Sequence, residues 1–351
     1  MQLVGNMSHR QNFFDVLKAV MMFWVVWGHL GTYGVVEEAS SIYVCNAKIG
    51  VNIPVFFTIS GFFAARSFRR HDVCETVART LCLVWPQFVF AFLCAIVTFA
   101  VSLDVVVVRR TFRFVLGFWF LHTLALIYIY SFIIWKIAQS EIQRWVYFVV
   151  AYGLMLFTPS CMRFWWNGQV IHMFPYFIFG LLVLSRYEMF RSTKVSLACA
   201  VFFLAVVFFQ GDSSINGMNF WNVNPYWEAV FFRWRDFVTF FMRTAVGITG
   251  SVFLLFLAYF TVEKFPVLNR MSTLGTTTLG VYVIHEYPIS LFSGICLPYY
   301  SRFFVALVWF LTCHYAITLV ENYKGLNSAF FLDEKFIASK IKHFLRRDCN
   351  G

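Results

Sequence analysis

The chain has 351 residues, 60% of them hydrophobic and only 13% charged, with 46 Phe, 16 Tyr and 12 Trp. Soluble domains do not carry this balance, and the apolar runs reach the ~20 residues a helix needs to cross ~30 Å of hydrocarbon. The formal charge of +11 reads as membrane orientation, not as a nucleic-acid surface.

Ten apolar spans are expected, at about 13–33, 49–67, 80–100, 114–135, 145–158, 171–186, 195–210, 239–261, 274–293 and 303–321. Backbone groups in lipid must be satisfied within their own segment, and these runs are far longer than barrel strands. The expected fold is therefore all-α: a polytopic membrane helical bundle of about ten transmembrane helices. With the N-terminus inside, the inner segments hold 19 of the 28 basic residues, which puts both termini in the cytoplasm. The Arg109-Arg110 pair is the local exception, falling on the outer side. Residues 1–321 read as the transmembrane domain and 322–351 as a cytoplasmic basic amphipathic tail. The first apolar run is too long for a cleavable signal peptide, and no A-x-A-like site follows it.

The first span runs from Phe13-Phe14-Asp15-Val16-Leu17-Lys18 through an apolar decade to His29. On one helix Lys18 and His29 are about three turns apart and share a face, with Asp15 within about 40° of the same stripe. Polar groups aligned on a membrane helix face protein or a water-filled cavity in preference to lipid. His29, in the outer half of the membrane, suits a general base that takes a proton from a hydroxyl; the alternative is a histidine hydrogen-bonded between helices. Asp15 and Lys18, three residues apart, can pair with each other, or Lys18 can meet an anionic cofactor at the inner mouth.

In the second span Ser60-Gly61 lets another backbone approach closely. Arg66, Arg69, Arg70 and Arg79 follow on the inner side, where they satisfy positive-inside topology and would equally bind a phosphate-rich ligand. The outer loop from Gly211 to Phe237 mixes Asp212, Asn216, Asn219, Asn222, Asn224 and Glu228 with Trp221, Tyr226, Trp227 and Trp234. That composition suits a sugar and equally suits an interfacial segment at headgroup level. The ninth span starts in a Thr-rich run and carries His285-Glu286 towards its outer end, at the depth of His29; His122, His172 and His314 read as structural. In the tail, Phe336, Ile337, Ile341, Phe344 and Leu345 recur at helical spacing among Lys and Arg, as in a helix resting on the inner leaflet. Nine cysteines form no C-x-x-C pair; Cys45, Cys161 and Cys296 lie near outer loops.

Together these segments resemble the acyltransferase 3 family of integral membrane acyltransferases. The family opens with a pattern like D-x-L-[KR]-A/G, an apolar decade and His, here Asp15-Val16-Leu17-Lys18-Ala19 to His29. A block like P-x-F-F-x-I-S-G-F matches Pro54 to Phe62, and a W-F-L block matches Trp119-Phe120-Leu121. A Y-F-x-x-G block matches Tyr176 to Gly180, and L-x-x-Y-x-x-H matches Leu279, Tyr282 and His285. The blocks cover most of the chain in order. The family often carries R-x-x-R before a proline in the third span; Arg79 matches the first arginine, but Cys82 stands at the second.

The resemblance implies acyl transfer from cytosolic acyl-CoA, acetyl-CoA or another, to a hydroxyl of a carbohydrate or glycolipid acceptor. The expected catalytic set is His29, Asp15 and His285, with His29 as base or as transient acyl carrier. Lys18, Arg79, Arg69 and Arg70 are expected to bind the donor, and Trp119, Glu286 and Trp227 the acceptor. Neither a metal nor nucleic acid is expected, and the expected location is a bacterial inner membrane. A multi-span transporter or flippase of an envelope precursor is the alternative.

Overall fold

In the structure, a computed structural model, residues 2–33, 35, 42–157, 165–209, 234–292, 295, 297–298 and 301–348 are described, and they are helical with no β-strand among them. The expectations for the outer loop with Trp227, for Cys161 and Cys296, and for the side chain of Cys45, lie outside what is described.

The helices are α1 (Gln2–Thr32), α2 (Ile42–Arg70), α3 (Val73–Ser102), α4 (Val105–Leu116), α5 (Trp119–Ile137) and α6 (Glu141–Phe157). Then come α7 (Trp165–Ile178), prolonged by a π-helical stretch Phe179–Leu184, α8 (Thr193–Phe209) and α9 (Trp234–Lys264). The chain closes with α10 (Thr278–Leu291), α11 (Arg302–Asn322), α12 (Lys324–Phe330) and α13 (Glu334–Asp348).

Seven of these, α1, α2, α3, α5, α7 with its extension, α9 and α11, are long and apolar enough to cross a membrane. The expected fifth, seventh and ninth spans are the shorter α6, α8 and α10, of 17, 17 and 14 residues. The ninth is cut short by its own threonines. Thr276, Thr277 and Thr278 donate to the carbonyls of Thr273, Leu274 and Gly275, and the chain before α10 runs through a 3-10 segment, Pro266–Met271, and a short helix, Ser272–Thr276. Hydroxyls that bond three residues back favour tight turns over a continuous α-helix. The expected fourth span loses its first residues to a separate helix, because α4 ends at Leu116 and α5 begins at Trp119. In the stretch before it, Leu103 adopts a left-handed conformation (φ 53°), Asp104 caps α4 by accepting from Val106 N–H, and α4 folds back along α3.

Burial separates inner helices from outer ones. The apolar windows of α2 and α7 are 67% buried, whereas those of α3 and α11 are 28% and 22% buried and present side chains such as Phe92, Val97, Phe304 and Val308 outward. Where α2 meets the π-helical stretch the backbones touch. A Cβ on Gly61 would meet the Phe177 carbonyl, and one on Gly180 would meet the Thr58 carbonyl. Small residues permit this approach, and packing drives helix association in lipid. The core fills around that crossing with Phe57, Phe68, Phe174, Phe177 and Leu181.

The tail packs on the start of α3. Asp72 and Glu75 form a capping box there, and Lys342 of α13 reaches Asp72 Oδ2 at 2.7 Å and Glu75 Oε1 at 3.1 Å. Trp85 Nε1 donates to the Ala329 carbonyl at 2.8 Å, and Ala338 is buried. Phe336 and Phe344 of the expected apolar stripe point away from this contact and are exposed.

Candidate functional site

Helix α1 carries the polar stripe, and the fold assigns its members to two cavities. Lys18 Nζ pairs with Asp15 Oδ1 at 2.6 Å and lines a cavity of about 400 Å³ with Ser60, Arg79, Thr80, Cys82 and Tyr128. His29, about 16 Å farther along the axis, lines a second of about 440 Å³ with Arg113, Trp119, Tyr282 and Glu286. Four helices contribute to both. From the first cavity to the second the order is Lys18 then Val25 on α1, and Ile59 then Ile53 on α2. On α5 it is Tyr128 then Trp119, and on α10 Leu279 then Tyr282. Between them lies an aromatic layer: the Phe120 ring sits 5.8 Å from Phe56, 5.2 Å from Phe57 and 4.9 Å from Tyr282.

At the His29 end, Glu286 Oε1 lies 3.6 Å from His29 Nδ1 and accepts a 2.7 Å hydrogen bond from the Tyr33 hydroxyl. The Tyr33 ring stacks against the His29 imidazole at 6.1 Å between centroids. His285 is fully buried, its ring 5.2 Å from that of His29. Its Nδ1 donates to the carbonyls of Tyr282 and Val281 at 2.8 and 3.1 Å, which fixes the proton on that nitrogen. Its Nε2 has no hydrogen-bond partner among the described residues. The walls of this end are held by buried polar contacts. Gln87 of α3 donates to the Val115 and Phe118 carbonyls, fixing the joint that presents Trp119. Arg302, 3% exposed, donates through Nη2 to the Trp27 carbonyl at 3.2 Å, close to the C-terminal end of α1, where the helix dipole favours a cation.

At the Lys18 end, Arg79 Nη1 donates to Ser67 Oγ at 2.7 Å, and Ser67 also meets the Tyr128 hydroxyl at 2.6 Å. Arg79 Nε stands 3.9 Å from Glu334 of the tail, and Cys82 Sγ donates to the Leu332 carbonyl at 3.4 Å. The tail thus borders this cavity.

The structure brings together His29, His285, Glu286 and Trp119 in one group, and Lys18 with Arg79 in another. Asp15 belongs with Lys18, about 21 Å along α1 from His29. Arg69 lines a separate cavity with Trp135, Glu141 and Arg144, and Arg70 is exposed at the end of α2. Trp227 is outside the described residues. Two participants escaped the sequence reading. Tyr33 is one turn beyond His29 on the same stripe, a signal that was available; Arg113 needed the fold of α4.

The ligand atoms of His29, His285 and Glu286 lie within 4.8 Å of one another, close enough to converge on a divalent ion. Tetrahedral zinc holds its ligand atoms about 3.3 Å apart, at bonds of ~2.0 Å. The same three groups equally provide a base, its orienting carboxylate and a second imidazole.

A family model described as an acyltransferase domain (Acyl_transf_3) matches residues 11–320. No curated protein and no solved structure matches the chain significantly.

Proposed function

The chain belongs to the acyltransferase 3 family, and from that premise we propose that it transfers an acyl group, acetyl in this reading, from cytosolic acyl-CoA to a hydroxyl of an envelope saccharide or lipid-linked glycan. The family and the apolar helices make it an integral membrane acyltransferase; donor, acceptor and orientation are the proposal. In it the short helices α6, α8 and α10 complete ten crossings, both termini face the cytosol, and the membrane is a bacterial inner membrane. The observation that carries the reading is the pair of cavities at opposite ends of the same four helices, with cationic Lys18 and Arg79 in one and His29 beside Glu286 in the other.

Lys18 and Arg79 would hold the phosphates of the donor at the cytosolic mouth. The donor's extended arm would carry the thioester the ~16 Å from Lys18 to His29, displacing the aromatic layer at Phe120. The acceptor hydroxyl gives its proton to His29 Nε2 while its oxygen bonds to the thioester carbonyl carbon. The carbon–sulfur bond then breaks, and the thiolate leaves and takes up the proton from the imidazolium. Glu286, facing Nδ1, orients the ring and stabilises its positive charge, and the Tyr33 hydroxyl steadies the carboxylate. Should His29 instead carry the acyl group, the same two geometric partners serve. Trp119 offers an aromatic face for a sugar ring.

Purified protein supplied with labelled acetyl-CoA and envelope glycan tests this. His29→Ala is expected to abolish incorporation while the protein still inserts into membrane, and unchanged incorporation refutes the reading. A transporter or flippase would bind no acetyl-CoA at all.

A further inference from the structure

Of the nine basic residues outside the expected inner segments, three cluster on one short helix: Arg109, Arg110 and Arg113, all on the twelve-residue α4. At ~100° per residue they fall within an arc of about 100°, opposite the buried Thr111 and Val115. None has an ion-pair partner among the described residues. Their placement is directional. α4 descends along α3 from Asp104 to the joint that Gln87 holds, with Thr98 of α3 bonded to Thr111 of α4 at 3.4 Å. Arg109 and Arg110 therefore sit farther out, and Arg113, about 6 Å deeper than Arg109, lines the cavity of His29, Trp119 and Glu286.

We propose that these arginines select an acceptor carrying an anionic group, a carboxylate or phosphate, close to the hydroxyl that is acylated, with Arg113 binding that group inside the His29 cavity. This rests on the acyl-transfer reading and names its acceptor class. A guanidinium presents a planar fork of donors matched to carboxylate and phosphate oxygens. In the same cavity Glu286 repels a second anion, so the acceptor's charge is steered to the α4 wall and its hydroxyl to His29. Arg109 and Arg110 extend the positive field outward along the approach, which raises the encounter rate of an anionic chain. A row of arginines that served only to anchor lipid headgroups would have no need to end beside His29.

The test uses full-length protein in phosphatidylcholine nanodiscs with two probes of equal length, an oligogalacturonate and a neutral oligogalactan. Binding is read by tryptophan fluorescence without any acyl donor. The wild type is expected to favour the acidic probe, Arg113→Ala to cut the acidic-to-neutral affinity ratio by about tenfold, and Arg113→Lys to restore part of it. Salt should erode the preference in the wild type more than in Arg113→Ala. Equal affinity for the two probes in the wild type overturns the proposal, as does an equal loss for both in Arg113→Ala. An Arg113→Ala effect confined to the protein's thermal stability when phosphatidylglycerol replaces phosphatidylcholine also overturns it, and assigns the row to lipid. Transfer from labelled acetyl-CoA, run on the same discs, separates the two readings. Acid-selective binding without transfer to either probe sinks acyl transfer alone, whereas transfer to both at equal efficiency sinks acceptor selection alone.

Discussion

Glu286 of α10 sets its carboxylate 3.6 Å from Nδ1 of His29 on α1, two residues 257 positions apart in the chain. The sequence reading treats Glu286 as an acceptor contact; its position beside the imidazole makes it a positioning group for the proposed base. A carboxylate there holds the ring's orientation and tautomer and stabilises the cation formed when the base works.

Glu286→Gln keeps the volume and the Tyr33 hydrogen bond but removes the charge. The expected result is a fall in kcat of about 10²- to 10⁴-fold with little change in KM for the acyl donor. Tyr33→Phe deletes one hydrogen bond to that carboxylate and should cost about tenfold. Steady-state kinetics of both variants decide it; an unchanged kcat in Glu286→Gln removes the dyad.

If His29, His285 and Glu286 act as acid–base groups, a chelator such as EDTA should leave acyl transfer intact. Micromolar zinc should inhibit instead, by tying these same three groups together. Loss of activity on chelation, restored by one divalent metal, would establish a metal centre in place of the dyad.

Cys82 lines the Lys18 cavity where the family pattern has an arginine. Cys82→Arg is expected to lower KM for acyl-CoA several-fold, because each charged hydrogen bond to phosphate contributes about 1.5–3 kcal/mol before losses. The gain should vanish for an acyl-pantetheine lacking the nucleotide phosphates. An equal gain for both donors would place the phosphates elsewhere.

Lys342 ties the tail to Asp72 and Glu75. Its hydrogen bond with Asp72 pulls that carboxyl below its ordinary value of 3.8 and, with the bond to Glu75, pushes the ammonium above 10.5. A lowered carboxylate stabilises the contact above 3.8, and that contribution is lost as pH falls through the folded value. A raised ammonium stabilises it below 10.5 and is lost as pH rises through its own folded value. Between those limits the contact should be insensitive to pH and sensitive to salt and to charge reversal. Hydrogen exchange in α13 checks this: Lys342→Glu should speed exchange at pH 7, and raised salt should speed it in the wild type more than in the variant.

Much of the fold was legible in one dimension because lipid leaves the chain few options. Apolar runs of span length must be helical, so α1, α2, α3, α5, α7, α9 and α11 follow from composition and length alone. The Asp15–Lys18 pair needed only i,i+3 spacing, and His29 was marked by a polar atom on an apolar stripe. Local hydrogen bonding decided where the pattern failed. The threonines before α10 bond to their own turns, and Asp104 starts a helix, α4, in the stretch between two apolar runs.

The helices and the polarity of their faces are written in the sequence, because both depend on neighbours within a few residues. Which of those faces meet is settled by packing between helices. The crossing of Gly61 on Phe177 and a buried Arg302 at the end of α1 fix the frame, within which α10 packs against α1 and α4 against α3. Those contacts put Glu286, His285 and Arg113, all far away in the chain, around His29, where Tyr33 already stands one turn along, and leave Lys18 with Arg79 in a cavity of its own. No periodicity within a single helix encodes that meeting; it is set by how the side chains of different helices fit together.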